Sequence, residues 1–414
     1  MKQICLFLAM FLFLSSCYEE LEVPETGWEI FDMTISPETL EYLYSSHDTS
    51  YAIEDPELEL SLYDQHIYLK GISIRGRTSL DYRRKSFSIR LEFPIYIRYA
   101  KGSEIKRLTN FKLNSLCMDY TYINNRLAFG ILQQSGVMPL FFKYVELRIN
   151  GESQGVYLLL EDPEERSQEL GSEYILRRDY NHAIRDPEYK PAVSSFSPDD
   201  YRRRFLEIYE ILPQLEGEAL YEYLTSRINL DQYFRKMAVD YLLQNGDYTD
   251  ELYLYAQIVN GNIQYQIIPW DYDDIFHDIP HEVGRDWAVG KVFGSRSYSS
   301  HQEVLNEIGD RLVFSIEDDL DYIIAKDQYL YDKYTQTLTS WLGGIGPSNI
   351  QSLFQEISDE LGPLYEQEDI ILQSQYDRRA TNPELWQQNM QDRLGSILMR
   401  LEMMNNHILS PDQR

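Results

Sequence analysis

Two Asn-Gly dipeptides constrain the fold of this chain most, because each lies between β-rich runs and predicts a tight antiparallel hairpin. One is Asn150-Gly151, within residues 144–161, and the other is Asn260-Gly261, within residues 252–268. Asn and Gly tolerate the positive φ angles that a two-residue hairpin turn requires. Each hairpin also brings its two outer ends together, so it predicts which distant residues become neighbours.

Hydrophobic periodicity predicts the elements around these hairpins. Residues 58–62 and 86–91 alternate with period two, which is typical of strands. Apolar stripes predict helices at 122–134, 202–212, 230–243 and 383–407, and the pattern is helical from residue 302 onward. The sequence therefore predicts an α+β fold with antiparallel sheets and hairpins, followed by an α-helical C-terminal region.

Charge and cysteine content exclude several classes of protein. The 414 residues include 38 Lys and Arg against 67 Asp and Glu, a formal net charge of −29. Nucleic-acid binding requires a surplus of cations to neutralise phosphates, so no nucleic-acid partner is expected. The three cysteines are Cys5, Cys17 and Cys117, and the first lies in a predicted leader. A disulfide framework is therefore not expected, and folding must depend on the apolar core.

The N-terminus has the features of an export signal. The apolar run at residues 4–14 is too short to cross a bilayer, which takes about 20 residues. It ends in Leu14-Ser15-Ser16-Cys17, which resembles a bacterial lipobox. The resemblance implies a signal peptide at 1–16, a lipid anchor on Cys17, a tether at 17–27 and an outer-membrane lipoprotein facing the periplasm or the cell surface. The alternative is an ordinary signal peptide with an incidental Cys.

Acidic residues flank the second hairpin on both sides. Asp247 and Glu251 precede it, and Asp271 and Asp273 follow it. Because the hairpin joins its outer ends, we expect Asp247 and Asp271 to be neighbours. Phosphoryl-transfer enzymes of the protein-kinase kind have the same layout, in which one Asp orients the acceptor hydroxyl and another holds Mg²⁺. Carboxylates at a strand end supply the hard oxygen ligands that Mg²⁺ prefers.

A basic cluster lies upstream, at Arg75, Arg77, Arg83, Arg84 and Lys85. Lys85 stands at the start of the predicted strand at 86–91. A Lys that is fixed by a strand can bind phosphate oxygens as a point charge, and an Arg can bind two of them at once. Glu161, at the end of the first hairpin, is placed to orient the ammonium group of Lys85 by pairing with it. The alternative is that the basic residues form cross-strand pairs with the abundant Glu.

Four sequence blocks, in order, resemble the CotH (spore-coat protein H) family of atypical kinases. They are residues 74–79 (IRGRTS), 84–91 (RKSFSIRL), 150–161 (NGESQGVYLLLE) and 268–273 (IPWDYD). The resemblance extends over about residues 60–400. It implies a distant protein-kinase-like fold, with a core at 28–300 and a helical region at 301–414 of the same domain. It also implies ATP and a divalent metal as cofactors, and phosphorylation of protein Ser or Thr.

The resemblance also assigns roles by position. Lys85 contacts the nucleotide phosphates, while Arg75 and Glu161 are candidate cofactor-binding residues from the basic cluster and the first hairpin. Asp247 is the catalytic-loop acid, and Asp271 is a metal ligand with Asp273 beside it. Two positions depart from the family pattern. Glu251 replaces an Asn that the family usually has, and remains a candidate metal ligand, while Asn124-Asn125 stands where the family tends to have Arg-Asn.

The predicted function is phosphoryl transfer from ATP, with Mg²⁺ or Mn²⁺, to a protein substrate by a lipid-anchored protein outside the cytoplasm. A second hypothesis is a catalytically inactive module at the cell surface that binds a protein or a glycan. Lipid anchoring, the 34 Tyr residues and the altered loop at Glu251 favour this second hypothesis. A third is a metal-dependent phosphoesterase that uses the same carboxylates.

Overall fold

The structure is a computed structural model, and it describes residues 29–99, 104–179, 184–185, 197–247, 249–278, 301–367 and 382–409. The predicted signal peptide at 1–16, the tether at 17–27 and the lipidation site Cys17 lie outside these residues and remain predictions. Within the described ranges, no helix combines the length and the apolar character needed to cross a bilayer.

The described residues form twelve strands and eleven α-helices. The strands are β1 (Glu29–Thr34), β2 (Glu59–Leu62), β3 (Gln65–Ile67), β4 (Leu69–Arg75), β5 (Ser86–Arg98), β6 (Ile105–Asn114), β7 (Phe142–Ile149), β8 (Glu152–Glu161), β9 (Tyr174–Arg178), β10 (Ile184–Arg185), β11 (Leu252–Val259) and β12 (Asn262–Pro269). The helices are α1 (Pro37–Ser45), α2 (Asn124–Gln134), α3 (Pro163–Glu169), α4 (Pro198–Ile211), α5 (Gly217–Arg227), α6 (Leu230–Leu243), α7 (His301–Ile308), α8 (Asp319–Lys326), α9 (Gln328–Gly344), α10 (Pro347–Tyr365) and α11 (Pro383–Leu409). The predicted α+β class with a helical C-terminal region is confirmed.

The larger sheet has the strand order β3-β2-β1-β7-β8-β6-β5-β4. Its two edge strands are consecutive in the chain, because β3 ends at Ile67 and β4 begins at Leu69. One intervening residue spans about 7 Å at most between its neighbours, so the two edges meet and the sheet curls on itself. All its strand pairs are antiparallel except one, since β1 runs parallel to β7, which the sequence did not predict.

The curled sheet encloses one apolar core and presents a second apolar face to the helices. Along β8, Tyr157 and Leu159 point into the enclosed core. The alternate residues Val156, Leu158 and Leu160 belong to the larger core outside the sheet. This alternation follows from the two-residue period of a strand. The alternation explains why β8 is buried on both faces. The outward-facing apolar residues of β8 pack the sheet against the helical part of the molecule.

The smaller sheet has the order β10-β9-β11-β12 and belongs to the larger core. Its β11–β12 hairpin turns at Asn260 and Gly261, with φ angles of 52° and 80°, and the β7–β8 hairpin turns at Asn150 and Gly151 with the same two values. Both predicted hairpins are therefore confirmed. The last helix, α11, packs on α10, α9 and α6, and its apolar residues join the same core as the hairpin.

Candidate active site

The ends of the β11–β12 hairpin bring two acidic segments together. The backbone N–H of Trp270 donates to the carbonyl of Glu251 at 3.0 Å, and the N–H of Gly246 donates to the carbonyl of Asp274 at 2.8 Å. Residues 246–251, before β11, therefore lie beside residues 270–274, after β12. This is the proximity that the sequence predicts for Asp247 and Asp271.

Five carboxylates form an acidic cluster at this point: Asp247, Asp250, Glu251, Asp271 and Asp273. One oxygen from each of the first three lies within 4.8 Å of the others. The charges of Asp247 and Asp271 both act on Glu251 and on Asp273, which places all of these groups close together. Several carboxylate oxygens around one point are the ligand type that Mg²⁺ and Mn²⁺ prefer.

Asn125 holds the turn that carries Asp271. Asp271 has a φ of 34°, in the left-handed region that residues other than Gly rarely adopt. Such conformations cost on the order of 1–3 kcal/mol and persist only where neighbouring groups hold them. The side-chain oxygen of Asn125 accepts from the N–H of Tyr272 at 2.6 Å, and its Nδ2 lies 3.4 Å from Oδ1 of Asp271. Asn125 thus fixes the backbone at Asp271, just after the chain leaves β12.

Asp273 is crowded by negative charge. Burial raises the pKa of its carboxyl well above the usual range, and the carboxylates of Asp271, Asp274 and Asp247 raise it further. Its backbone carbonyl accepts a hydrogen bond from Nδ2 of Asn124 at 2.6 Å. Because like charges oppose ionisation here, a cation beside Asp273 would stabilise the ionised form.

Glu251 is paired with a cation from another strand. Burial raises the pKa of Glu251 well above its usual range, the charge of Arg177 lowers it, and Asp271 raises it again. Arg177, on β9, donates one hydrogen bond to Oε2 of Glu251 and another, from Nε at 2.8 Å, to the carbonyl of Asp250. Arg177 therefore both neutralises Glu251 and fixes the backbone of the segment before β11.

Buried polar contacts under the acidic cluster fix Tyr272, the residue between Asp271 and Asp273. The Tyr272 hydroxyl donates to Oδ1 of Asp240 at 2.8 Å, and Nζ of Lys236 lies 2.5 Å from Oδ2 of the same carboxylate. Asn245 donates from Nδ2 to Asp240 at 3.3 Å. All four side chains are buried. They connect helix α6 to the turn, so Asp271 and Asp273 are carried on a rigid support.

A small pocket joins the acidic cluster to the basic region predicted upstream. Arg75, Asp271 and Asp273 all line this pocket. The guanidinium of Arg75 is fixed by a hydrogen bond to the side chain of Asn114, and it lies 5.3 Å from the centre of the Trp270 ring. The rest of the lining includes Ser79, Ser86, Ser115, Cys117 and Asn125. The lining of one pocket thus contains both a cation and carboxylates.

Lys85 is near this pocket but does not line it. Its side chain is buried, and its ammonium donates to the carbonyl of Leu80. Burial lowers the pKa of Lys85, and the charges of Cys117 and Asp81 oppose that shift. The pocket wall next to it is formed by Ser79 and Ser86 instead. A contact between Lys85 and phosphate remains a prediction.

The expected pairing of Glu161 with Lys85 is wrong. Glu161 forms an ion pair with Lys106 and accepts from the N–H of Phe141 at 2.8 Å. The physical reason is the strand order, in which β6 separates β8 from β5. Glu161 therefore meets the side chains of β6 rather than the residue that precedes β5.

Sequence reasoning assigned no role to Arg177, Asp250, Asn124 or Asn125. Arg177 reaches the site because it pairs in register with Tyr253 of β11. No local pattern in the sequence indicates this pairing, since the two strands are far apart in the chain. The Asn124-Asn125 pair is visible in the sequence as two amides near the start of a predicted helix, and it is itself one of the two departures from the family pattern.

The raised pKa values predict how stability depends on pH. The folded-state pKa values of Asp273 and Glu251 lie above their ordinary values of 3.8 and 4.5. Between the ordinary and the raised values the folded state binds more protons than the unfolded state, so stability falls as pH rises. We expect the free energy of unfolding without divalent metal to decrease as pH rises above the ordinary values of 3.8 and 4.5 through these groups. Urea unfolding should show a smaller decrease for Asp273→Asn than for the unmodified chain.

The control for this pH dependence is Asp231→Asn, which changes an exposed carboxylate that pairs with Arg235 on helix α6. It should keep the slope of the unmodified chain. Equal slopes for Asp273→Asn and the unmodified chain would contradict the assignment of the pH dependence to Asp273.

Comparison with known proteins places these residues in a family. The sequence matches the model of the family described as CotH kinase protein over residues 72–397. The inner spore coat protein H of Bacillus subtilis (strain 168) is 23% identical over 220 residues, which cover 49% of this chain and 57% of that protein. The match to this relative therefore spans little more than half of its length.

The family match begins within β4, ends within α11 and includes every residue of the acidic cluster. It also includes Arg75 and the whole β11–β12 hairpin. It covers well over half of the chain, and so the chain belongs to the CotH kinase family.

Proposed function

We propose that this protein is a metal-dependent kinase that transfers a phosphoryl group from ATP to Ser or Thr of a protein. One observation carries the proposal: a single pocket is lined both by the cation Arg75 and by the carboxylates of Asp271 and Asp273. A nucleotide bound with its divalent metal presents both anionic oxygens and a cation, so it needs both kinds of side chain. Membership of the CotH kinase family supports this reading.

Asp271 and Asp273 are the residues that would hold Mg²⁺ or Mn²⁺, with Glu251 and Asp250 close by. The donor set fits, because all are carboxylates and negative charge is concentrated enough to raise the pKa of Asp273. When bound, the metal would neutralise charge on the phosphate oxygens. The fixed turn at Asp271 keeps its carboxylate directed at the pocket without relying on the metal.

Arg75, which lines the same pocket, would bind phosphate oxygens. Its contact with Asn114 and its position over Trp270 limit its rotation, so little side-chain entropy is lost when a phosphate binds. The hydroxyls of Ser79 and Ser86 lie in the same wall. Lys85 donates to the carbonyl of Leu80, in the short helical turn that also carries Ser79. It would therefore support this wall of the pocket and add positive charge behind it.

Asp247 would orient the acceptor hydroxyl. It precedes β11 beside the metal-facing carboxylates and keeps part of its surface exposed, whereas Asp250 is buried. An acceptor side chain can therefore reach Asp247 from solvent. Arg177 would hold Glu251 and the carbonyl of Asp250 in place while the substrate binds.

We also infer a distant protein-kinase-like fold, on the strength of the family match and the acidic residues at both ends of a short hairpin. The export signal at 1–16 and the lipobox-like Cys17 support a lipid-anchored protein of the outer membrane, facing the periplasm or the cell surface. In that location the acceptor would be another extracytoplasmic protein.

A second candidate function is a binding module that has lost catalysis. The observation that favours it is the ion pair between Arg177 and Glu251, which occupies one carboxylate of the acidic cluster. A module of this kind would retain the fold and bind a protein or a glycan without using ATP.

Incubation of the protein with labelled ATP and Mn²⁺ or Mg²⁺, alongside extracytoplasmic proteins, tests the proposal. We expect label transfer by the unmodified chain, loss of transfer in Asp247→Ala and Asp271→Ala, and unchanged transfer in Asp231→Ala. ATP with metal should also raise the melting temperature of the unmodified chain but not of Asp271→Ala. No label transfer and no shift with ATP, combined with a shift by a soluble glycan or protein, would favour the binding module.

A further inference from the structure

Arg393, in the last helix α11, reaches the segment after β12 from the far end of the chain. Its Nη1 donates a hydrogen bond to the side-chain oxygen of Asn124, at the start of α2. Its guanidinium carbon lies 4.9 Å from the centre of the Phe276 ring, and its Nη2 lies 3.8 Å from Oδ1 of Asp119. One side chain thus connects three segments that surround the acidic cluster.

Asn124 connects Arg393 to the backbone of Asp273. A side-chain amide has an acceptor at one end and donors at the other. Because Arg393 engages the oxygen of Asn124, the Nδ2 group faces the carbonyl of Asp273, to which it donates at 2.6 Å. The backbone N–H of Asn124 donates in turn to Oδ2 of Asp119 at 2.7 Å. The orientation that fixes the Asp273 backbone is therefore set by Arg393.

The segment held in this way is strained at both ends. Asp271 has a φ of 34° and Phe276 has a φ of 68°, both in the left-handed region. Such residues keep their conformation only where surrounding contacts hold them. Asn125 supplies those contacts at the first end. At the second end, the N–H of Phe276 donates to the carbonyl of Leu243 at 2.8 Å, and Arg393 covers the ring.

We propose that Arg393 is a positioning residue for Asp271 and Asp273, so that helix α11 is part of the candidate active site. The proposal rests on the proposed function only where it takes these carboxylates as metal ligands. Arg393 acts through Asn124 and Phe276. Its removal should let residues 271–276 relax toward ordinary backbone conformations and spread the two carboxylates.

The test compares Arg393→Met with Arg400→Met in the full chain. Arg400 lies on the same helix and docks it on α6 instead, through the backbone carbonyls of Leu242 and Tyr241. Both changes keep an apolar stem and remove the donors that dock α11. We expect Arg393→Met to weaken Mn²⁺ binding about tenfold, as the loss of groups that orient metal ligands does, whereas Arg400→Met leaves it unchanged. Electron paramagnetic resonance of free Mn²⁺ measures the affinity.

Hydrogen exchange followed by mass spectrometry is the second readout. Amides in residues 272–276 should exchange faster in Arg393→Met than in the unmodified chain or in Arg400→Met. Arg393→Lys retains the charge and a single donor group, so its exchange should fall between that of the unmodified chain and that of Arg393→Met. Equal Mn²⁺ affinity and equal exchange in the Arg393 and Arg400 variants would overturn the proposal. If the unmodified chain binds no Mn²⁺, the proposed function fails, and the exchange comparison alone decides the role of Arg393.

Discussion

We expect Asp247→Asn to lower kcat for phosphate transfer by about 10²–10⁴-fold while the KM for ATP changes little. Asn has nearly the size of Asp but lacks the charge that attracts and orients the acceptor hydroxyl and its proton. Asp271, Asp273 and Arg75 remain in place, so the nucleotide and its metal should still bind. Initial rates at varied ATP and saturating acceptor protein separate the two effects.

Two comparisons make this result specific. Asp231→Asn changes an exposed carboxylate that lies 2.8 Å from Arg235, and it should leave kcat unchanged. Asp271→Asn should raise the KM for ATP with its metal as well as lower kcat, because it removes a proposed metal ligand that would act in the ground state too. A kcat for Asp247→Asn within about tenfold of the unmodified value would contradict the role of Asp247, whatever the effect of Asp271→Asn.

The sequence predicts the meeting of the two acidic segments because a hairpin is a local structure. Asn260-Gly261 specifies the turn, the turn specifies the register, and the register places Leu252 opposite Pro269. Nothing from the rest of the fold is needed for this step. The same argument holds for the β7–β8 hairpin and for the helix at Leu230–Leu243, whose bounds the structure reproduces.

The parts that the sequence does not predict depend on the order of distant strands. Glu161, at the end of β8, does not pair with Lys85, before β5, because β6 lies between these two strands in the sheet. Arg177 enters the acidic cluster because β9 pairs with β11. Arg393 arrives through the packing of α11 against α6. Such pairings are selected by the total burial of apolar surface, which no short motif encodes.

We expect the largest loss of stability when the buried ion network around Arg178, beside the candidate active site, is broken. Arg178, next to Arg177 on β9, donates from Nη1 to the Tyr233 hydroxyl at 2.7 Å, and the same nitrogen lies 3.7 Å and 3.8 Å from Asp318 and Asp321. Its Nε donates to the carbonyl of Thr249 at 2.7 Å, within the acidic segment before β11. The network therefore connects the helical C-terminal region to the candidate active site through one guanidinium.

Arg178→Met should lower the free energy of unfolding by about 3–5 kcal/mol, because it leaves the buried carboxylates of Asp318 and Asp321 without this cation. Adding Asp318→Asn and Asp321→Asn should recover part of the loss, since no unpaired charge then remains. The control is Arg227→Met, which breaks a more exposed pair with Glu207 and should cost less than about 1 kcal/mol. Urea unfolding at one temperature measures all four proteins. A loss for Arg178→Met no larger than that of Arg227→Met would mean that Arg178 does not stabilise the fold through this network.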